Sequence, residues 1–306
     1  MELFEDKVKF NDAIAAASAE LNISEVLLEK DYFVMLILSK LNKNIDGLLF
    51  KGGTSCSHAY NVIKRFSEDI DLTLNENYIG RNHNIRANKA IVKTCDEMNF
   101  NILNRNEVLK HSHGNYNCYY IEYPSMYRSN LLRPFIQIGM VFYIKSFPFE
   151  YKAVNSILNE WLRLRLGKDT MGKICFSPFD VCVQKLERTF VDKIFAICDY
   201  YERNEQIRNS RHIYDCYKIS KVISLQSKDL KKLVKEVRKA RQNDNRCISA
   251  SDNYDINSKL LEIVNSDYYK KDYYEITSKL LMEDIAYEEA VKVLEDVIAT
   301  RMFEET

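Results

Sequence analysis

The sequence has little glycine and proline, eight and four residues among 306, and only one tryptophan. This scarcity favours long helices and few tight turns. Long hydrophobic runs are missing too, because the longest apolar stretch, Tyr32 to Leu38, is far too short to span a bilayer. No membrane association is therefore expected, and the 46% hydrophobic and 29% charged residues indicate a globular chain with a sizeable core.

An excess of either charge sign is also absent. Lys+Arg and Asp+Glu both number 44, so the net charge argues neither for nor against a nucleic-acid partner. The first six residues carry acid where a targeting segment carries base, and we expect a cytoplasmic protein. The eight cysteines include no C-x-x-C pair, so we interpret them as reduced and mostly packed thiols.

Hydrophobic periodicity and turn residues predict the order of helices and strands. Helices are expected over residues 5–20, 24–42, 55–64, 82–98 and 154–166, and from 181 to the end of the chain. Strands are expected over residues 48–50, 70–74, 100–106, 116–123 and 134–144, with one more at 173–176. The sequence therefore predicts an α+β fold class, with a mixed sheet flanked by helices in residues 1–180 and an all-α helical bundle domain in residues 181–306.

The charge in the helical half is unevenly distributed. Residues 203–241 hold 12 Lys/Arg and 4 Asp/Glu, whereas residues 281–306 hold 2 and 8. Two interpretations stay open, namely solvated helix faces or a basic surface for a phosphate-rich partner. In the second predicted helix, Lys30 and Asp31 could reach the site, but a surface ion pair on the helix is the favoured interpretation. His58 is expected to be a surface residue.

A glycine pair follows the first predicted strand. Gly52 and Gly53 let a backbone approach a phosphate closely, because glycine has no Cβ. The hydroxyls of Thr54 and Ser55, with the first amides of the next helix, add donors that can point at the same anion. Ser67 could also contact phosphate, although a turn residue at the entry to the next strand is an equal alternative.

Two carboxylates accompany the next strand. Asp69 and Asp71 are two positions apart, so in a strand they lie on the same face. Two carboxylates held together repel each other unless a cation lies between them, and Mg²⁺ bridging to a triphosphate is the cation that this pattern predicts. The alternative is a turn with two surface aspartates. Strand, Gly-Gly, helix and Asp-x-Asp in this order are much more specific than either motif alone.

At this point the chain resembles the AbiEii/AbiGii toxin family of nucleotidyltransferases, within the DNA polymerase β superfamily. The resemblance runs from about residue 29 to 219 and leaves the last 80 or so residues unmatched. Its N-terminal motifs are Glu29-Lys30-Asp31-Tyr32, the segment 50–60, Arg65-Phe66-Ser67-Glu68-Asp69-Ile70-Asp71-Leu72, Tyr123-Pro124-Ser125, Ile136-Gln137-Ile138-Gly139 and Phe147-Pro148-Phe149-Glu150. The helical half contributes Glu187-Arg188-Thr189-Phe190-x-Asp192-Lys193-Ile194-x-Ala196 and Arg211-His212-x-Tyr214-Asp215.

The resemblance implies a polymerase β-like domain that transfers a nucleoside monophosphate from an NTP to an acceptor hydroxyl. RNA, such as a tRNA acceptor end, is the implied acceptor. The implied biological role is the toxin of a toxin–antitoxin or phage-defence system with an antitoxin encoded nearby. Mg²⁺ or Mn²⁺ is the implied cofactor. The residues carried over are Asp69 and Asp71 as metal ligands and catalytic residues, Gly52, Gly53, Thr54, Ser55, Ser67 and Arg211 at the nucleotide, Lys193 to neutralise phosphate charge, and Asp215 to position or activate the acceptor or the nucleotide.

One position departs from the family pattern. Where the family reads Ile-Glu-Ile-Gly, this chain has Gln137, and glutamine cannot act as a general base near neutral pH and is a weaker metal ligand. Glu122 on the preceding strand is a possible substitute. Two further hypotheses follow, a nucleotide-binding interaction protein with little or no catalysis and nucleotidyl transfer to a protein or a small molecule.

Overall fold

The structure is a computed structural model that describes residues 2–78, 80–110, 116–130, 132–142, 144–166, 176–242, 244 and 246–304. Its strands are β1 (Leu48–Lys51), β2 (Asp69–Leu74), β3 (Asn101–Ile102), β4 (Tyr116–Glu122), β5 (Ile136–Val141), β6 (Phe149–Val154) and β7 (Phe179–Gln184). The helices before β7 are α1 (Lys7–Leu21), α2 (Glu25–Asn44), α3 (Gly52–His58), α4 (Arg81–Glu97), α5 (Arg105–Lys110) and α6 (Ile157–Leu166). The helices after it are α7 (Leu186–Glu202), α8 (Arg211–Ser220), α9 (Lys228–Arg241), α10 (Ile256–Asn265), α11 (Lys270–Asp272), α12 (Tyr287–Ala290) and α13 (Lys292–Thr300).

The chain folds into two compact units, each assembled from three segments. The first unit comprises Met1–Ala59, Ser67–Phe142 and Phe149–Val183, and the second comprises Tyr60–Phe66, Tyr143–Pro148 and Gln184–Thr306. Within the described residues, no helix is both long enough and apolar enough to cross a membrane.

A seven-stranded mixed sheet organises the first unit, in the order β3-β4-β5-β2-β1-β7-β6. Strand β1 is antiparallel to β2 and parallel to β7, while β2 is parallel to β5 on its other side. The apolar residues of β1 and β2 are buried, as expected for strands in the middle of a sheet that is covered on its faces. The segments with the Gly-Gly and Asp-x-Asp motifs are therefore neighbours by strand pairing.

Helix α2 supplies much of the core of the first unit. Residues 28–39 are all buried, so this helix is enclosed on every side rather than on one amphipathic face. It packs against α1, α4 and α6. Because polar side chains on such a helix have no water, each needs a partner inside the protein.

The second unit has its own core around α7. Phe190, Ile194, Phe195 and Ile197 are buried on this helix, which packs against α8, α9 and α10. Phe190, Ile194 and Ile197 are four and three residues apart, which is the helical periodicity that predicts a helix here.

Several predicted elements need correction. The helix expected from Val181 begins at Leu186, because Phe179–Gln184 form β7, and the helix expected from Val154 follows a strand that the sequence analysis missed, β6. A short apolar run such as Val181-Cys182-Val183 has the same pattern in a buried strand and a buried helix, so periodicity cannot separate them.

The helix expected at 55–64 covers Gly52–His58 instead, and the strand expected at 100–106 is only Asn101–Ile102, followed by α5. Of the strand expected at 173–176, all but Phe176 lies outside the described residues.

Candidate active site

The turn between β1 and α3 depends on Gly52. This residue has a φ of +80°, in the region that favours glycine, and a Cβ built on it would lie 2.3 Å from Oδ2 of Asp71. The strand pairing brings these residues together, since Lys51 lies opposite Asp71. The absence of a side chain at Gly52 therefore makes room for the Asp71 carboxylate beside the Gly-Gly motif.

The hydroxyl groups of the same loop are engaged within the protein. The Thr54 hydroxyl donates to the backbone carbonyl of Asp69 (2.5 Å) and lies 2.8 Å from the Ser67 hydroxyl. The Ser55 hydroxyl donates to the carbonyl of Gly52 at 3.0 Å. The bond from Thr54 to Asp69 connects the start of α3 to β2, whereas the bond from Ser55 lies within α3. The backbone amides at the start of the helix, which have no intrahelical acceptor, are the donors that this loop offers to an anion.

Asp69 and Asp71 lie on one face of β2, as predicted. In the parallel register with β5, Asp69 is opposite Gln137 and Asp71 is opposite Gly139. Gly139 gives space on that side, since a Cβ there would lie 3.3 Å from Oδ1 of Asp71. Gly52, directly after β1, and Gly139, on β5, thus accommodate one carboxylate, while Asp69 is the more buried of the two aspartates.

An arginine that the sequence analysis missed contacts this pair. Nη1 of Arg133 donates to Oδ1 of Asp69 (3.2 Å) and to Oε1 of Gln137 (2.7 Å). Glu122, the possible substitute for the missing acid, lies one residue beyond the Ile121–Ile136 pair that begins β5 and accepts a hydrogen bond from Asn101 (3.0 Å). Arg133 precedes β5 in an irregular segment, so no periodic pattern marks it in the sequence.

Cys118 lies on β4, which pairs with β5, the neighbour of the strand with the two aspartates. It pairs with Gly139 across β4 and β5 and is half-buried, whereas the other six described cysteines are buried. Burial raises the pKa of the Cys118 thiol, and the charges of Asp69 and Asp71 raise it further.

The helix α2 supports this region with Lys30. Its ammonium group is fully buried and donates to Oε2 of Glu68 (2.6 Å) and to the carbonyl of Arg133 (2.5 Å). Burial lowers the pKa of Lys30, and the charge of Glu68 opposes that effect. The expected surface pair of Lys30 with Asp31 is therefore wrong, because α2 is buried on every side.

Asp31 instead bonds to His58 at the end of α3. Oδ1 of Asp31 lies 2.6 Å from Nε2 of His58, and Oδ2 accepts the backbone N–H of Ile157 at 2.7 Å. Burial raises the pKa of Asp31 to about 7 and lowers the pKa of His58 to about 4, so burial favours the uncharged form of each. His58 is thus a half-buried partner of α2, and the prediction of a surface residue is wrong.

A second cluster of charged residues lies in the second unit. Arg65 binds the carboxylate of Asp215 through Nε and Nη2, both at 2.7 Å, and Nζ of Lys193 donates to Oδ2 at 2.6 Å. Burial opposes the charged form of Asp215, but the charges of Arg65 and Lys193 outweigh it and hold the pKa of this carboxyl well below its usual range. A carboxylate with so low a pKa and two cationic partners is suited to positioning Lys193 and is a poor general base.

Other predicted residues flank this cluster on α8. Arg211 is half-buried at the first position of the helix, and the bonds to Asp215 described above come from Arg65 and Lys193. His212 stacks on Tyr200 with ring centroids 5.4 Å apart. Burial lowers the pKa of His212 well below its usual value, so the ring is neutral. The role of Arg65 was missed, although this residue is the first of the Arg65 to Leu72 motif.

The aspartate pair suits a hard dication such as Mg²⁺ or Mn²⁺, which prefers oxygen ligands. Among the described residues, no group of three or more His, Cys, Asp or Glu side chains could hold a metal. Mg²⁺ commonly uses one or two carboxylates and completes its shell with substrate phosphates. Asp69 and Asp71 therefore fit a cation that a bound triphosphate would share.

Comparison with known proteins identifies the family of this chain. The family model described as nucleotidyl transferase AbiEii toxin, type IV TA system, matches residues 37–295, well over half of the chain. Among solved structures, a crystal structure described as a presumed nucleotidyltransferase from H. pylori has 15% sequence identity and a TM-score of 0.42, covering 89% of this chain and 97% of that chain. No match is found among curated proteins. The chain belongs to the AbiEii family of nucleotidyltransferase toxins of type IV toxin–antitoxin systems.

Proposed function

We propose that this nucleotidyltransferase is Mg²⁺-dependent and transfers a nucleoside monophosphate from an NTP to a hydroxyl of RNA, such as a tRNA acceptor end. The observation that carries the proposal is the aspartate pair on β2, with Gly52 and Gly139 leaving room for the Asp71 carboxylate. In the reaction the acceptor oxygen bonds to the α-phosphorus, the bond to pyrophosphate breaks and the acceptor proton passes to solvent. In-line displacement of this kind needs charge neutralisation and alignment.

Each residue of the site has a proposed part. Asp69 and Asp71 would hold Mg²⁺ or Mn²⁺, which when bound supplies positive charge to the phosphate oxygens. The amides at Gly52, Gly53, Thr54 and Ser55 would bind the triphosphate, with Ser67 fixing the loop through its contact with Thr54. In the second unit, Lys193 and Arg211 would supply positive charge to phosphate, and Asp215 would position Lys193.

An RNA acceptor is supported by the charge of α9. Lys228, Lys232, Lys235 and Lys239 are exposed and recur at the spacing of one helix face, while Leu230, Leu233, Val234 and Val237 are buried on the other. A row of exposed lysines suits a phosphate backbone. We further propose a polymerase β-like fold for the sheet-containing first unit, a helical bundle for the helices that follow β7, a cytoplasmic location, and action as a toxin held in check by an antitoxin encoded nearby.

The direct test is label transfer from each of the four α-³²P-NTPs to total RNA, with the wild type, Asp69→Asn and Asp12→Asn. Asp69→Asn keeps the side-chain volume but removes a charge from the pair, so we expect loss of transfer by at least about 10²-fold. Asp12 is exposed on α1, and Asp12→Asn should transfer label like the wild type. EDTA should abolish transfer and Mn²⁺ or Mg²⁺ should restore it. Full activity of Asp69→Asn would refute the metal assignment.

A second candidate function is favoured by Gln137, which replaces the acid of the family pattern. If the protein binds nucleotide with little catalysis, calorimetry with NTP and Mg²⁺ would show binding while no acceptor becomes labelled. If the acceptor is a protein or a small molecule, labelled product from a lysate would survive RNase, and protease treatment would tell these two acceptors apart.

A further inference from the structure

The guanidinium group of Arg133 lies on the Gln137 side of the aspartate pair. One nitrogen, Nη1, bonds both to Asp69 Oδ1 and to Gln137 Oε1. The guanidinium group is always protonated in proteins, so a fixed positive charge lies between one carboxylate of the pair and the side chain that replaces the family's acid.

The backbone of Arg133 is anchored independently of its side chain. Its N–H donates to Oε2 of Glu68 at 3.2 Å, and its carbonyl accepts from the buried ammonium of Lys30. Glu68 is also buried and directly precedes Asp69, so the anchor connects the Arg133 segment to the start of β2. These two bonds fix the backbone from which the guanidinium group reaches Asp69, and a substitution of the side chain leaves both of them in place.

The net charge of the side chains around the aspartate pair indicates how many divalent cations the pair can bind. Asp69 and Asp71 carry one negative charge each, Gln137 is neutral and Arg133 carries one positive charge, which leaves a net charge of about −1 for these four side chains. A site that clamps the attacking and leaving oxygens with two dications needs carboxylates for both. A net charge of −1, with one oxygen of Asp69 bonded to arginine, suits a single dication.

We infer that Arg133 takes the place of a second divalent cation, so that the active site uses one Mg²⁺ together with a built-in guanidinium charge. This inference rests on the proposed function and specifies its metal requirement. Gln137 contributes by accepting from Arg133 through an oxygen that has no charge of its own, which leaves the positive charge of the guanidinium group only partly neutralised. A glutamate at position 137 would neutralise that charge and create a third carboxylate.

The experiment counts Mn²⁺ ions by electron paramagnetic resonance, with the α,β-methylene analogue of the NTP that the label screen selects. We expect one Mn²⁺ per chain in the wild type and in Arg128→Ala, a control that removes an exposed arginine of the same segment. The double variant Arg133→Ala/Gln137→Glu should bind two. Two ions in the wild type, or one in the double variant, would overturn the inference while leaving the nucleotidyl transfer intact.

A conservative substitution covers the case in which the double variant does not fold. Arg133→Lys keeps the positive charge, so it should still bind one Mn²⁺, whereas Gln137→Glu alone should weaken the effect of Arg133 and raise the affinity for a second ion. Transfer by Arg133→Ala should fall by about 10²-fold, as expected when one charged group is lost from a phosphoryl-transfer site. Wild-type activity in Arg133→Ala would overturn the inference. No Mn²⁺ binding and no label transfer in the wild type would instead refute the proposed function itself.

Discussion

A single glycine, Gly52, determines how closely the Gly-Gly and Asp-x-Asp motifs can approach each other. A Cβ on residue 52 would lie only 2.3 Å from Oδ2 of Asp71, which is too close for any side chain at this position. The glycine of the β1–α3 turn therefore has two tasks, since it also adopts a φ of +80°. This is a direct link between a sequence motif and the geometry of the proposed metal site.

We predict that Gly52→Ala displaces the Asp71 carboxylate and lowers label transfer by roughly 10²-fold, since a shift of about 1 Å at a reacting group can have that effect. The free energy of unfolding should fall by about 1–3 kcal/mol because of the positive φ. Activity is measured by the label assay and stability by urea titration.

Gly80→Ala is the matched control for that variant. Gly80 also has a positive φ, but a Cβ there meets nothing within 4 Å. Its substitution should cost a similar amount of stability and leave transfer unchanged. Equal loss of transfer in both variants would show that backbone strain, not the Asp71 contact, explains the result.

A further prediction at the residue scale concerns Asp215. Asp215→Asn leaves Arg65 and Lys193 buried without their carboxylate partner, and the expected loss of stability at neutral pH is about 3–5 kcal/mol. The folded-state pKa of Asp215 is depressed, so its contribution is present above the unfolded pKa of about 3.9 and is lost as the pH falls below it. The difference between wild type and variant should therefore shrink as the pH falls below about 4, in urea titrations at several pH values.

Asp96→Asn serves as the comparison for Asp215. Asp96 also makes two bonds to one arginine, Arg105, but the pair is exposed and screened by water. Its substitution should change stability little at any pH. A loss as large as that of Asp215→Asn would mean that burial is not the reason for the importance of Asp215.

At the scale of elements, α2 shows how a helix can connect distant segments. Three consecutive residues on it, Glu29, Lys30 and Asp31, are buried and bind three different parts of the first unit. Glu29 accepts from the Ser125 hydroxyl and the Met126 amide, Lys30 binds Glu68, and Asp31 binds His58. Successive residues of a helix point in different directions. Three charged neighbours can therefore bind three separate partners only when protein surrounds the helix on all sides.

The helix α9 carries the prediction for the acceptor. Its exposed residues Lys228, Lys232, Lys235 and Lys239 form one face, and replacing all four with glutamine should weaken RNA binding. Each phosphate contact contributes about 0.7 to the slope of log K against log salt for single strands, so the slope should become shallower by up to about 3. Binding of labelled RNA is measured by fluorescence anisotropy at several salt concentrations.

Two arginines at the end of α9 give an internal comparison. Arg241 is largely buried and binds Asp192 and Asp199, and Arg238 bonds to backbone carbonyls. Their substitution should lower stability rather than change the salt dependence of binding. An unchanged salt slope in the four-lysine variant would assign α9 to the solvated-face interpretation.

At the scale of the whole molecule, a net charge of zero hides an uneven distribution. Part of the basic excess in residues 203–241 is used inside the second unit, as Arg241 and Lys218 show by their pairs with Asp199 and Glu283. The sequence composition alone left a solvated face and a partner surface both open, because a count of charges does not say which are buried. The structure separates the buried cations from the exposed ones, and the exposed lysines of α9 form one candidate surface.

Prediction of the fold succeeded where hydrophobic periodicity is long and failed where it is short. The helices α1, α2 and α4 and the central strands were predicted within a few residues. Strands β6 and β7 were missed for different reasons. The buried apolar run of β7 has the same pattern in a strand and in a helix. Strand β6 lies at the edge of the sheet and only its Val154 is buried, so it has no hydrophobic pattern that would predict a strand.

The local order of the Gly-Gly and Asp-x-Asp motifs, and the strand geometry that puts both aspartates on one face, followed from the sequence alone, because they depend on neighbours within a few residues. Only the tertiary structure brought Arg133 to Asp69, Lys30 to Glu68 and Arg65 to Asp215, which are 64, 38 and 150 residues apart in the chain. Contacts at such separations leave no periodic trace in a sequence, since they arise from the packing of whole elements.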